Sequence, residues 1–256
     1  MREPKAGMAQ AGVVGDSGAG PRAIDSAIAA LGSRDGQARV RARECLVAIG
    51  EPAVGPLVAA LTDPRESVRC EAARVLDWIN VNWEAHADPP TMNALVADLG
   101  SRDGLVRVRA RKCLVAIGGR AVGSLIEVLT NPKEVVRWEA AKALGQIHDP
   151  AAAQALVGAL EDEMFDVRWL AAEGLGAIGC KALVPLLQAL SRHPDSVWLR
   201  GGAHHVLSKL AAKCIEDVWR PVLAALENVE PLVEVPFAAK AALDRLKTGE
   251  GELKGC

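Results

Sequence analysis

The chain repeats itself, and this limits its fold more than any other feature. LGSRDGQARVRARECLVAIG at 31–50 returns as LGSRDGLVRVRARKCLVAIG at 99–118, with 17 of 20 positions identical at an offset of 68. A shorter period runs inside that one. A leucine recurs at Leu46, Leu76, Leu114, Leu144, Leu175, Leu207 and Leu243, at intervals of 30, 38, 30, 31, 32 and 36 residues. Three residues after each stands Ile or Leu, and seven before the first six stands an arginine: Arg39, Arg69, Arg107, Arg137, Arg168 and Arg200. The seventh unit has Pro236 at that place. Seven short units predict a stacked array rather than two globular domains.

Each unit reads as two helices. A second leucine (Leu31, Leu61, Leu99, Leu129, Leu160, Leu190, Leu226) precedes the anchor by 15 residues in five units and by 17 in two. Between the two leucines lie turn and helix-start signals such as SRDG, TDPRE, NPKE, EDEMFD and SRHPD. Counted from the anchor, the apolar positions of the second helix are −8, −4, −1, 0 and +3, one stripe at 3.6 residues per turn. A single unit cannot bury that stripe, so neighbours must stack. The expectation is an all-α solenoid over 22–247, with a disordered segment at 1–21 and a flexible tail at 248–256. The segment NVNWEAHADPPT at 80–91 is irregular and lengthens one interval to 38.

Composition narrows the reading further. With no Tyr, two Phe and six Trp in a chain that is half apolar, the core must be built from Ala, Leu, Val and Ile. A net charge of −2 gives no electrostatic reason to expect nucleic acid as partner. The six cysteines form no CxxC pair, and Cys45 and Cys113 occupy equivalent apolar positions. All six are read as reduced thiols of a cytoplasmic protein. The N-terminus lacks the apolar run of a signal peptide. No 18-residue apolar segment is evident, so membrane insertion is not expected.

TDPRESVRCEAARVL, TNPKEVVRWEAAKALG and EDEMFDVRWLAAEGLG carry a resemblance. Their pattern is similar to the HEAT-like repeats of phycobilisome-lyase type, over roughly 23–247. The resemblance implies a right-handed α-α superhelix whose second helices line the concave face. It also implies a structural arginine that bonds the preceding turn or the next unit. Asp35, Asp63, Asp103 and Asp162 read as helix caps or as partners of those arginines. The last unit departs from the pattern in VEVPFAAKAAL, as a C-terminal cap would.

With the apolar stripe turned inward, positions −6, −2 and +1 point outward. The −6 column reads Val40, Cys70, Val108, Trp138, Trp169, Gly201 and Phe237. The −2 column includes Lys142, Glu173 and His205, and the +1 column includes Gly145 and Gly176. Trp138 and Trp169 should therefore stand side by side on neighbouring helices as one aromatic platform. Those two glycines either leave room beside the indoles or follow the family's Leu-Gly pattern. The platform suits a partner, or else the solenoid's own termini.

Three enzyme readings are tied to the resemblance. Family hydroxylases hold iron through His-Glu after Val-Arg; here Cys70-Glu71, Trp138-Glu139 and Trp169-Leu170 stand at that place, so no metal or other cofactor is expected. HEAT-like DNA glycosylases use concave tryptophans and an acid four residues on. Trp169 and Glu173 match that spacing, but the −2 and +1 columns hold three basic residues against four acidic ones, whereas a DNA groove should be basic. Bilin lyases would use aromatic walls and cations such as Trp138, Trp169, Lys142 and His205, a generic set. The expectation is a non-enzymatic scaffold that binds a protein or peptide in the groove. Trp138 and Trp169 would anchor it, with Lys142, Glu173 and His205 for polar matching and Phe237 at the end of the row.

Overall fold

The computed structural model describes residues 20–79, 87–211 and 218–248. Fourteen α-helices and no strand occur among the described residues, and they fall into seven consecutive pairs. These are α1 (Pro21–Leu31) with α2 (Gly36–Ile49), α3 (Val54–Ala60) with α4 (Glu66–Ile79), and α5 (Pro89–Asp98) with α6 (Gly104–Ile117). Next come α7 (Val122–Glu127) with α8 (Glu134–Ile147), and α9 (Ala153–Ala159) with α10 (Phe165–Ile178). The last two pairs are α11 (Leu183–Arg192) with α12 (Val197–Ala211), and α13 (Arg220–Glu227) with α14 (Pro231–Lys247). The leading 1–19, most of the irregular 80–91 segment and the tail beyond Thr248 lie outside the described residues.

The predicted stripe is the core. Every anchor leucine from Leu46 to Leu207 is fully buried. The −4 position is alanine in all seven units (Ala42, Ala72, Ala110, Ala140, Ala171, Ala203, Ala239), and all seven are buried. A methyl group there lets successive second helices approach closely. Cys113 is buried as expected, but its equivalent Cys45 is exposed. The −1 flank faces the preceding unit, and no unit precedes α2 among the described residues. Cys180 also departs from the expectation of six reduced thiols, because it is disulfide-bonded. Absence of CxxC spacing speaks only about local pairs.

The arginine column has the two structural roles expected of it. Arg39, Arg69, Arg107, Arg137 and Arg168 each donate from Nη1 to the carbonyl six residues upstream, at 2.6–2.9 Å. Arg200 does the same toward Pro194. Arg69 and Arg137 reach on into the next unit, where Nε meets Asp98 and Asp162 at 2.8 and 2.7 Å. Asp35 and Asp103 cap α2 and α6 by accepting from the second amide on. Units one, three, four and five close their second helix at position +4 with a positive φ: Gly50, Gly118, His148 and Gly179.

Two stretches, Gly104–Thr130 and Phe165–Arg192, are long and apolar enough to resemble membrane spans, contrary to the sequence expectation. Neither is one continuous α-helix. Each is a second helix followed by the first helix of the next unit, with the chain turned at Gly118 or Gly179. Their apolarity comes from joining two core stripes.

Candidate functional site

The columns predicted to face outward do so along most of the array. Val108, Trp169, Gly201 and Phe237 are exposed, and Val40, Cys70 and Trp138 are half-buried. The two tryptophans do stand on neighbouring helices, but they do not form one platform. Trp138 lies against the edge of the core with Lys142 Nζ 4.4 Å from its ring centre. It opens on a cavity of about 290 Å³ between α8 and the start of α10, lined also by Arg107, Glu134, Met164 and Asp166. Trp169 likewise faces the following unit, one groove further along. It stacks on Phe165 at 6.4 Å and meets the His205 ring at 4.7 Å, lining a second cavity of about 280 Å³ between α10 and α12. The repeat gives both rings the same helical face, and each therefore lines the groove between its own second helix and the next, so the two belong to consecutive grooves rather than to one surface.

Gly145 and Gly176 do not leave room beside the indoles. A Cβ at Gly145 would meet the Gly174 backbone of α10 at 3.3 Å, and one at Gly176 would meet the Lys209 side chain at 2.8 Å. At Gly145 this is a close approach of two helix backbones, whereas at Gly176 it is the Lys209 side chain that fills the space. Phe237 is 73% exposed, but α14 packs mainly on α11 and α13. It therefore does not continue the row formed by α8, α10 and α12.

Of the polar candidates, Glu173 and His205 come together. Glu173 bridges α10 to α12, meeting Lys209 Nζ at 2.6 Å and His205 Nε2 at 2.7 Å. These contacts, Lys209 first and then His205, hold its carboxyl below the usual glutamate value. Lys142 belongs to the Trp138 groove instead.

Sequence reasoning missed half of the α10–α12 cavity. Its walls include Phe165, Val197 and Trp198, and its lining also holds Arg168, Ala172, Gly201 and Gly202. Phe165 is 64% exposed and Trp198 50%. Both sit in the first turn of their helix, at −10 and −9 from the anchor leucine, one turn outside the columns considered. The legible signal was Phe165 where other units place Gly36, Glu66, Gly104 and Glu134, and Trp198 where they place Gln37, Ser67, Leu105 and Val135. Arg168 carries its column's structural bond and also lies over Trp198, with Cζ 4.5 Å from the ring centre. The lining offers apolar walls, one cation and one imidazole, with no hydroxyl or thiol nucleophile. Among the described residues, no three His, Cys, Asp or Glu side chains gather as a metal site would need.

The family model for HEAT repeats matches residues 92–165, and that for the PBS lyase HEAT-like repeat matches 167–193. No curated protein matches the sequence. Among solved structures the chain is similar to importin beta, with 19% identity over 88% of this chain and 37% of that one and a TM-score of 0.52. It is also similar to an archaeal HEAT-like repeats protein from Thermococcus onnurineus NA1, at 17% identity, 75% and 88% coverage and a TM-score of 0.43. A designed armadillo repeat protein in complex with the peptide (KR)4 gives 19% identity, 73% and 99% coverage and a TM-score of 0.42. The architecture is that of a HEAT-type α solenoid.

Proposed function

From a chain whose residues 92–193 carry HEAT-type repeats, we propose a non-enzymatic interaction scaffold. It binds a protein or peptide on the exposed face of its second helices, anchored in the groove between α10 and α12. One observation carries this reading. Phe165, Trp169 and Trp198 stand together and exposed around a cavity, in a chain that otherwise builds its core almost wholly from aliphatic side chains. Exposed aromatics that a partner can desolvate are where interface energy concentrates, and a solenoid supplies the extended rigid surface. Trp138 with Lys142 forms a neighbouring contact point, and Glu173 and His205 supply polar edges.

The test compares the wild type with Trp169→Ala/Trp198→Ala in retention of a purified partner, both chains being folded by circular dichroism. The double variant should lose about 2 kcal/mol or more of binding free energy. Equal affinity of the two chains for that partner contradicts the assignment of the groove.

A further inference from the structure

The α10–α12 groove has features that specify what it takes, and they rest on the scaffold reading above. At about 280 Å³ the cavity falls just below the ~300–1,000 Å³ of small-molecule sites, which suits one bulky side chain better than a whole cofactor. Exposed Gly201 is among its lining residues. A Cβ there would meet nothing within 4 Å, so no packing requires the glycine, although glycine inside a helix is destabilising relative to alanine. Its neighbour Gly202, by contrast, is pressed against Leu160. Gly201 keeps the cavity open at the expense of helix stability.

The one formally charged side chain in the lining is Arg168. In units two and four the arginine of this column is paired, Arg69 with Asp98 and Arg137 with Asp162 and Glu163. The unit after α10 places Ala189 and Arg192 at the two corresponding positions. Arg168 has no carboxylate partner among the described residues. Its Nη1 holds the carbonyls of Asp162 and Glu163, while its guanidinium face lies on Trp198 and near Phe165. Stacking leaves the edge of a guanidinium free to donate, and a carboxylate is the group its fork fits.

We propose that this cavity receives a large apolar side chain of a partner peptide, phenylalanine or similar, with an adjacent aspartate or glutamate paired to Arg168. The apolar ring enters over Gly201 between Trp169 and Trp198. The carboxylate pairs the Arg168 guanidinium, which no carboxylate among the described residues meets.

Calorimetric titration of the whole chain with capped heptapeptides tests it: a central Phe-Asp pair, the same peptide with Phe-Lys, and one with Ala-Asp. Phe-Asp should bind about tenfold or more tighter than either of the others. Gly201→Leu fills the cavity with a better helix former, so it should melt at or above the wild type and lose Phe-Asp binding about tenfold. Arg168→Gln should bind Phe-Asp and Phe-Lys alike. Equal wild-type affinity for Phe-Asp and Phe-Lys, or undiminished binding by Gly201→Leu, overturns the proposal. So does Gly201-dependent binding of adenosine monophosphate without discrimination among the peptides. A partner that still depends on Trp169 and Trp198 in that event leaves the scaffold reading standing and removes only this one.

Discussion

Glu173 illustrates how one side chain links two units of the array. Its carboxylate meets Lys209 and His205 of the next helix, and its folded pKa is lowered. The stabilisation it gives is therefore fully present above the unfolded glutamate value of about 4.3. It is lost as pH falls through the lower folded value. The side chain is 37% exposed, so solvent screening keeps the contribution below about 1 kcal/mol. Glu173→Gln should lower stability by that small amount at neutral pH in urea unfolding. The gap to wild type should close on acidification below about pH 4. A gap that persists in acid would place the effect in packing rather than charge. Position −2 made Glu173 and His205 legible in the sequence as outward-facing residues. Their mutual contact was not legible, because it depends on the lateral offset between two helices.

Between elements, the 68-residue duplication reappears as a repeated ion pair. Arg43 of α2 meets Glu71 of α4 at 2.9 Å, and Arg111 of α6 meets Glu139 of α8 at 2.8 Å. Each residue of the second pair lies 68 positions after its counterpart in the first. The −3 flank of one second helix thus packs on the −5 flank of the next. The second pair is the more deeply buried, and Glu139 also lies 3.7 Å from Arg107. Glu139→Ala would strand buried Arg111, at a cost of about 3–5 kcal/mol. Glu71→Ala, at the wetter pair, should cost clearly less in the same thermal unfolding measurement. Equal losses would mean that burial does not set the strength of this ladder. Helix pairing and core columns could be read from the sequence because a period of 3.6 assigns faces directly. Which flank meets which, and the packing of α14 on α11, could not, since both follow from packing of distant units.

Across the whole molecule, a uniform aliphatic core carries a face that is not uniform. Anchor leucines and small −4 alanines recur in every unit, whereas three exposed aromatics, Phe165 and Trp169 of α10 and Trp198 of α12, line one groove. Repetition made the core legible; the groove was only half legible because two of its walls occupy first-turn positions where the pattern is weakest. The central claim is that these rings serve the surface and not the fold. Urea unfolding of Trp169→Ala/Trp198→Ala beside Leu175→Ala tests it most directly. Leu175→Ala should cost about 2–5 kcal/mol as a core deletion, and the double tryptophan variant about 1 kcal/mol, since it loses only surface contacts and the Arg168 stacking. A double variant as destabilised as Leu175→Ala would contradict the account.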